Sequence, residues 1–184
     1  MKIESFIKKI KEYPKAYYRL ADFEAIFEQE EMTIKKSVER LVKSGLLVRL
    51  SKNVYVLADS QIDLRLVASL LYQPSYLSLE SVLYRYGVIN QPPIEETLAT
   101  TRRSKKMNLG GQVFWFSQIK PRLWWGFEEK EGMMVAKLEK AVADMLYLKS
   151  RGQRRFETDE WYLKKVNKNI LESYLKKMGV SDRV

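Results

Sequence analysis

The chain has no cysteine and no histidine. The first absence excludes disulfides and thiolate metal sites. The second removes the commonest general base and metal ligand. No Gly-rich phosphate loop ending in Lys-Ser or Lys-Thr occurs, and no Ser or Cys has a His to activate it. The longest apolar runs fall far short of a membrane span. At the start, MKIESFIKKIKEY lacks the apolar core of a signal peptide and reads as an amphipathic helix with Ile3, Phe6, Ile7 and Ile10 on one side. A cytoplasmic, non-enzymatic protein is therefore expected, with no cofactor, no metal and no membrane partner. Acid is missing locally as well: no Asp or Glu lies between Thr97 and Phe127.

What is present is basic and globular. Thirty-three Lys and Arg against 23 Asp and Glu give a net charge of +10, a balance that suits a polyanionic partner. Hydrophobic residues make up 46%, enough in 184 residues for one good core or two small ones. The charge is not evenly spread. From Thr33 to Asn53 there are six Lys or Arg and a single acid, Glu39. The acid-free stretch carries Arg102, Arg103, Lys105, Lys106, Lys120 and Arg122.

The first sixty residues change period in an informative way. Residues 2–12 read as a helix, closed before Tyr13-Pro14 because Pro14 disfavours helix in the residue before it. Leu20–Phe27 reads as a second helix. Glu28–Met32 makes a turn, and Thr33 is placed to cap a third helix. In that helix Ile34, Val38, Leu41 and Val42 recur three and four apart and define a buried side. Gly45 ends it in the left-handed conformation. Leu46–Leu50 and Val54–Leu57 then read as two short strands, with Asn53 suited to positive φ in the turn. Three helices and a hairpin in that order predict a winged helix over residues 1–60, with the junction at Ala58-Asp59-Ser60.

If the apolar side of the third helix is buried, Thr33, Lys35, Lys36, Ser37, Arg40 and Lys43 face outward. Arg and Lys on such a helix reach guanine edges in a major groove, and Ser or Thr meets phosphate. The wing offers Arg49, Lys52 and Asn53 to the flanking backbone. Asp22, Glu24, Glu28, Glu30 and Glu31 must then face away from the DNA. A winged helix that binds protein or RNA is the alternative reading.

Residues 61–184 predict a second domain of helices around a small antiparallel sheet, and the whole chain an α+β protein. IDLRLVASLLYQ is a helix stopped at Pro74, and Ser78 caps another that Gly87 ends. TLATT, QVFWFSQI and RLWWGF read as strands separated by the basic loop TRRSKKMNLGG and by Lys120-Pro121. The alternation in VFWFSQI favours a core position for Trp115; Trp124 and Trp125, adjacent on a strand, face opposite ways. Val135, Leu138, Val142, Met145 and Leu146 mark a strong amphipathic helix, and Gly179 closes the last one. Arg102, Arg103, Lys105, Lys106, Lys120 and Arg122 form a second phosphate site or a docking surface for an acidic partner, or else belong to an exposed hairpin loop whose lysines keep the strands soluble. Glu128-Glu129-Lys130 matches the Glu-x-Lys of metal-dependent nucleases, but no Asp occurs between Asp63 and Asp144 to complete such a site.

Three stretches of this second part, PSYLSLESVLYRYGVI, TTRRSKKMNLGGQVFWFSQIKPRLWWGF and VAKLEKAVADMLYL, resemble in that order the core of the AbiEi-like antitoxin family. The most specific pieces are Tyr76, Ser78, Ser81, Leu83 and Gly87, the segment Thr100-Thr101 to Arg103, and Glu139-Lys140-Ala141 with Asp144. The resemblance implies an antitoxin and transcriptional repressor of a phage-defence operon. Its winged helix would bind double-stranded promoter DNA through Thr33, Lys35, Lys36, Ser37, Arg40 and the wing. Residues 61 onward would counter a nucleotidyltransferase toxin.

Overall fold

A computed structural model describes residues 3–181, with side chains from Ser5 onward. Lys2 and the Ile3 side chain, both assigned to the first helix, lie outside the described residues. Among those described, seven α-helices accompany a two-stranded and a six-stranded sheet, so the protein is mixed α+β. The chain falls into two compact units. One runs from Ile3 to Val67 and includes Asn108–Gly111; the other holds Ala68–Met107 and Gln112–Ser181.

In the first unit, α1 (Ile3–Lys11), α2 (Leu20–Phe27) and α3 (Glu31–Lys43) precede an antiparallel hairpin of β1 (Leu47–Ser51) and β2 (Val54–Leu57). The apolar periodicity explains the packing. Phe6 and Ile10 of α1, Phe23 and Phe27 of α2, and Ile34, Val38 and Leu41 of α3 share one core with Leu47 and Tyr55. Phe6 stacks on Phe27 at 3.9 Å between ring centroids, and Phe23 is buried between Phe6, Tyr18 and Tyr55. Truncating Phe23 to Ala would cost about 3–5 kcal/mol, transfer and cavity terms together. Val42, expected in that core, is only half-buried at its edge.

Two local signals behave as their chemistry requires. Gly45 takes φ +74°, its N–H donates to the Val42 carbonyl at 3.1 Å, and the Leu46 N–H reaches the Leu41 carbonyl at 3.0 Å. That pair of bonds closes α3 with the left-handed residue outside it. Asn53 takes φ +59° in the hairpin turn. Thr33 differs from expectation. The helix begins three residues earlier than expected, with Glu30 as its extended N-cap, and Thr33 is its third residue. Its N–H already donates to the Glu30 carbonyl at 3.0 Å, so it has no capping role. A further pairing precedes α2: Tyr18 and Tyr55 exchange backbone hydrogen bonds at 2.8 and 2.9 Å, adding a one-residue strand beside β2.

The larger sheet is six-stranded and mixed, where a small antiparallel one was expected. Helix α4 (Leu64–Leu71) leads to β3 (Ser75–Leu77), α5 (Glu80–Tyr86), β4 (Glu96–Thr100), β5 (Lys105–Leu109), β6 (Gln112–Gln118), β7 (Phe127–Lys130) and β8 (Met133–Ala136). The spatial order is β5-β6-β4-β3-β8-β7. Strands β3 and β8 pair in parallel, as do β4 and β6; β3–β4 and β7–β8 are antiparallel. Helix α6 (Leu138–Ser150) packs on α5 and on α7 (Lys168–Met178), which Gly179 ends at φ +69°.

Several expected elements are corrected here. RLWWGF is not a strand before its last residue, Phe127. Pro121 opens a single 3-10 turn, Pro121–Leu123, because its fixed φ suits a first helical position, and Gly126 at φ +80° leads into β7. The supposed basic loop is partly strand: β5 starts at Lys105, leaving Thr101–Ser104 as the connection and Gly110-Gly111 as the turn to β6. Ser78 does not cap α5. The N-cap residue is Leu79, buried at φ +59°, a conformation that costs a branched side chain of order 1–3 kcal/mol. Val135 belongs to β8, and α6 is buried on nearly every side from Leu138 to Leu148 rather than along one stripe.

Candidate nucleic-acid interface and polar sites

On α3 the outward residues form a ridge. At about 100° per residue, Met32, Lys36, Arg40 and Lys43 lie within roughly 80° of one another, opposite Ile34, Val38 and Leu41. All four are exposed, Met32 to 68%. Exposed Thr33 and half-buried Ser37 flank the ridge on one side, exposed Lys35 and Glu39 on the other. The Ser37 hydroxyl donates back to the Thr33 carbonyl at 3.1 Å, so its proton is already used within the helix. Glu31 stands one position before Met32, hence about 100° off the ridge. Asp22 is half-buried, accepting the Arg19 N–H at 2.7 Å and pairing with Lys15 at 2.5 Å. Glu28 and Glu30 are exposed just before α3. Met32 escaped the sequence reading because methionine there looked like part of a turn.

In the hairpin, Arg49 and Lys52 are exposed, and the Arg49 Nε–H donates to the Ser51 carbonyl at 3.3 Å. Asn53 is committed elsewhere: its Oδ1 accepts the Leu20 N–H at 2.8 Å. That bond satisfies an orphan donor at the start of α2 and fastens the turn to it. Asn53 is thus a clamp, and only Arg49 and Lys52 of the three are free to reach a polyanion.

The second basic group is not one cluster. The Arg102 guanidinium lies 4.3 Å and the Lys105 ammonium 5.2 Å from the Tyr72 ring centroid, while the Tyr72 hydroxyl donates to the Arg103 carbonyl at 2.8 Å. Arg102 also donates to the Gln73 carbonyl. Lys106 is paired with Glu95 at 2.5 Å and stands 4.5 Å from the Trp115 centroid. Arg103, Lys120 and Arg122 are exposed and make no ion pair among the described residues. Glu128 and Lys130 pair with each other at 2.8 Å on β7, an edge strand.

A polar site that periodicity missed lies in the core of the second unit. Lys140 and Asp144, four apart on α6, form an ion pair with both side chains fully buried. The Asp144 Oδ2 accepts the Tyr76 and Ser78 hydroxyls, each at 2.8 Å. Lys140 Nζ donates to the Tyr76 oxygen at 2.7 Å and lies 5.1 Å from the Trp125 centroid. Burial pushes the Lys140 ammonium below its ordinary pKa, against the raising pull of Asp144. Burial, then the Asp144 charge, pushes the Tyr76 phenol well up. Beside it, the Thr97 Oγ1 accepts the Ser81 N–H at 3.0 Å while the Thr97 N–H donates to Ser81 Oγ at 2.7 Å. Buried together, these groups fix β3, β4, α5 and α6 to one another. The available signal was Lys140 and Asp144 at i,i+4 within an apolar run.

The tryptophans divide differently from expectation. Phe114 and Phe116 fill the core side of β6, and Trp115 points to the other face, half-buried. The Arg154 guanidinium stacks 3.5 Å from its centroid. Trp124 and Trp125 are both half-buried, Trp124 edge-on to Tyr76 and Trp125 edge-on to Tyr174.

No protein-family model matches the chain, and a comparison with curated proteins finds no match. Among the described residues no helix is long and apolar enough to cross a membrane.

Proposed function

We propose that the protein is an antitoxin that represses its own operon, binding promoter DNA through its first unit and opposing a nucleotidyltransferase toxin through its second. The observation that carries the DNA half is the α3 ridge, where Lys36, Arg40 and Lys43 stand directly opposite the buried Ile34, Val38 and Leu41. The order α1, the Tyr18 bridge, α2, α3 and hairpin is that of a winged helix, which we assign to this unit. In that reading α3 enters the major groove and Arg49 and Lys52 meet the adjacent backbone. Met32, the apolar member of the ridge, suits a thymine methyl.

The antitoxin half rests on the resemblance to AbiEi-like proteins. It is supported by where the distinctive residues fall: Tyr76, Ser78, Lys140 and Asp144 come from two of the three resembling stretches and build one buried cluster. A protein- or RNA-binding winged helix without an antitoxin role is the second reading, favoured by exposed Glu28, Glu30, Glu31 and Glu39 around α3.

The test is a gel shift of the full chain on its own upstream DNA, with growth rescue alongside. The combined Lys35, Lys36 and Arg40 to Ala variant should lose promoter binding and retain toxin rescue. A variant that still shifts the DNA refutes the α3 assignment.

A further inference from the structure

The six-stranded sheet ends in two edge strands, β5 and β7. Among the described residues no backbone group from Lys105 to Leu109 bonds to an element on the outer side of β5. Leu109 is fully buried, so the open portion lies at the Lys105 end, where Lys105 and Lys106 are exposed and Met107 is half-buried. Unmet strand N–H and C=O groups are a template for a further strand, and β5 contains no Pro to block one.

Charge selects that strand. Successive side chains of β5 face opposite ways. Lys105 shares the side of Tyr72, which meets Phe116 edge-on at 5.0 Å between ring centroids; Lys106 shares the side of Trp115. On the first side the Arg102 guanidinium and the Lys105 ammonium converge on one ring, 4.3 and 5.2 Å from the Tyr72 centroid. Arg102 is held there by the Gln73 carbonyl rather than by an acid, and no acid lies between Thr97 and Phe127. Two like charges gathered over a ring repel each other, and a carboxylate set against both removes that repulsion. The opposite edge differs: on β7 the Glu128 charge is already met by Lys130 at 2.8 Å.

We propose that β5 is a docking edge for an acidic extended segment of a partner protein, which adds to the sheet as a seventh strand with its acidic residues on the Tyr72 side. Main-chain hydrogen bonds to β5 supply affinity, and a carboxylate opposite Lys105 and beside Arg102 supplies selectivity. On the Trp115 side Lys106 already has Glu95 at 2.5 Å, so that face calls for neutral side chains. Single-stranded nucleic acid matches the edge poorly. Tyr72 is buried beneath its two cations and the Trp115 ring carries Arg154 and Lys106, so neither is open to a base, and a phosphate offers nothing to the strand's C=O groups. A second copy would bring another +10 and set lysine against lysine at β5. The proposal rests on the sheet alone; neither promoter binding by α3 nor toxin rescue enters it.

The experiment titrates the full chain, by calorimetry at low salt, with an end-blocked heptapeptide of alternating Thr and Glu, and follows amide exchange along β5 and β7. Saturable binding is expected, with slowed exchange at Lys105–Met107 and none at β7. The same peptide N-methylated throughout keeps its charge but loses its N–H donors, and should bind at least about tenfold more weakly. Lys105→Ala should weaken binding up to about fivefold and Lys105→Glu about tenfold, one cross-strand attraction lost and then one repulsion gained. Lys105→Glu should in turn gain affinity for the heptapeptide of alternating Thr and Lys. Both changes are on an exposed side chain, and a melting temperature near the parent's checks the fold. No binding at millimolar peptide overturns the proposal, as does equal affinity of the N-methylated peptide, protection at β7, or unchanged affinity in Lys105→Glu. Octathymidylate that binds more tightly than the peptide and weakens equally in Lys105→Glu would assign these cations to nucleic acid and overturn it. Self-association of the chain that Lys105→Glu abolishes would give the edge to a second copy and overturn it too.

Discussion

Replacing Lys140 by Met leaves the Asp144 carboxylate in a site with no exposed surface and two hydroxyl donors, Tyr76 and Ser78, as its only support. Removing one partner of a buried pair costs about 3–5 kcal/mol, because the remaining charge is uncompensated. At roughly 2–4 °C per kcal/mol for a chain of this size, the melting temperature should fall by about 6–20 °C. The deficit should depend on pH. In Asp144→Asn the stranded group is Lys140, already held below its ordinary pKa by burial and now without the anion that opposed burial. Between that lowered pKa and the unfolded value the unfolded chain binds the extra proton, so the Asp144→Asn deficit shrinks as pH rises. Thermal unfolding of the two variants from pH 5 to pH 9 reads both deficits and the Asp144→Asn slope. Deficits under 1 kcal/mol, or an Asp144→Asn deficit that grows as pH rises, would refute a dry, charged pair.

Four further outcomes follow from the same contacts. Arg40→Ala should cost promoter affinity about 1–3 kcal/mol and relax base preference if the side chain reads a base, whereas Lys52→Ala should weaken all sequences alike and lower the salt slope by about one; gel shifts across a salt series separate them. Gly126→Ala should destabilise by about 1–3 kcal/mol, since φ is +80° there and the new Cβ would stand 3.0 Å from the Lys140 side chain; a denaturant midpoint unchanged from the parent contradicts this. Changing Arg102, Arg103, Lys105 and Lys106 together to Ser should leave the chain folded, with a loss of about 1 kcal/mol from the Tyr72 and Glu95 contacts, and should impair toxin rescue more than promoter binding. Equal rescue by that variant would leave those cations without a partner. Tyr76→Phe should remove an alkaline instability: the raised phenol stabilises the fold fully below about pH 10, its unfolded value, and that contribution is lost at higher pH, so parent and variant melting curves should converge above it.

The first unit was legible largely because its helices each meet the core along one side. Ile34, Val38 and Leu41 recur at helical spacing since their partners all lie to one side, and the same spacing leaves Lys36, Arg40 and Lys43 outside. Gly45, Asn53, Gly87 and Gly179 were equally readable, because positive φ is a property of the residue and its immediate backbone. Even there, the start of α3 moved. Glu31 and Met32 carry no signal against a helix, and Thr33, a good cap in isolation, was absorbed into the first turn.

What tertiary structure alone decided lies mostly in the second unit. β3 pairs with β4 and β8, and β5 with β6, and none of β3, β5 and β8 shows an alternating pattern of its own. A three-residue strand buried on both faces has no period to read. Helix α6 is covered on nearly every side, so periodicity could not single out Lys140 and Asp144 as inward-facing. Their partner Tyr76 is 68 residues from Asp144, and Trp115's face was set by which side of β6 the sheet buried. Composition and spacing along the chain report how each residue suits water or backbone. Whether a charge may leave water depends on what stands opposite it, and only the folded chain brings that partner within hydrogen-bonding distance.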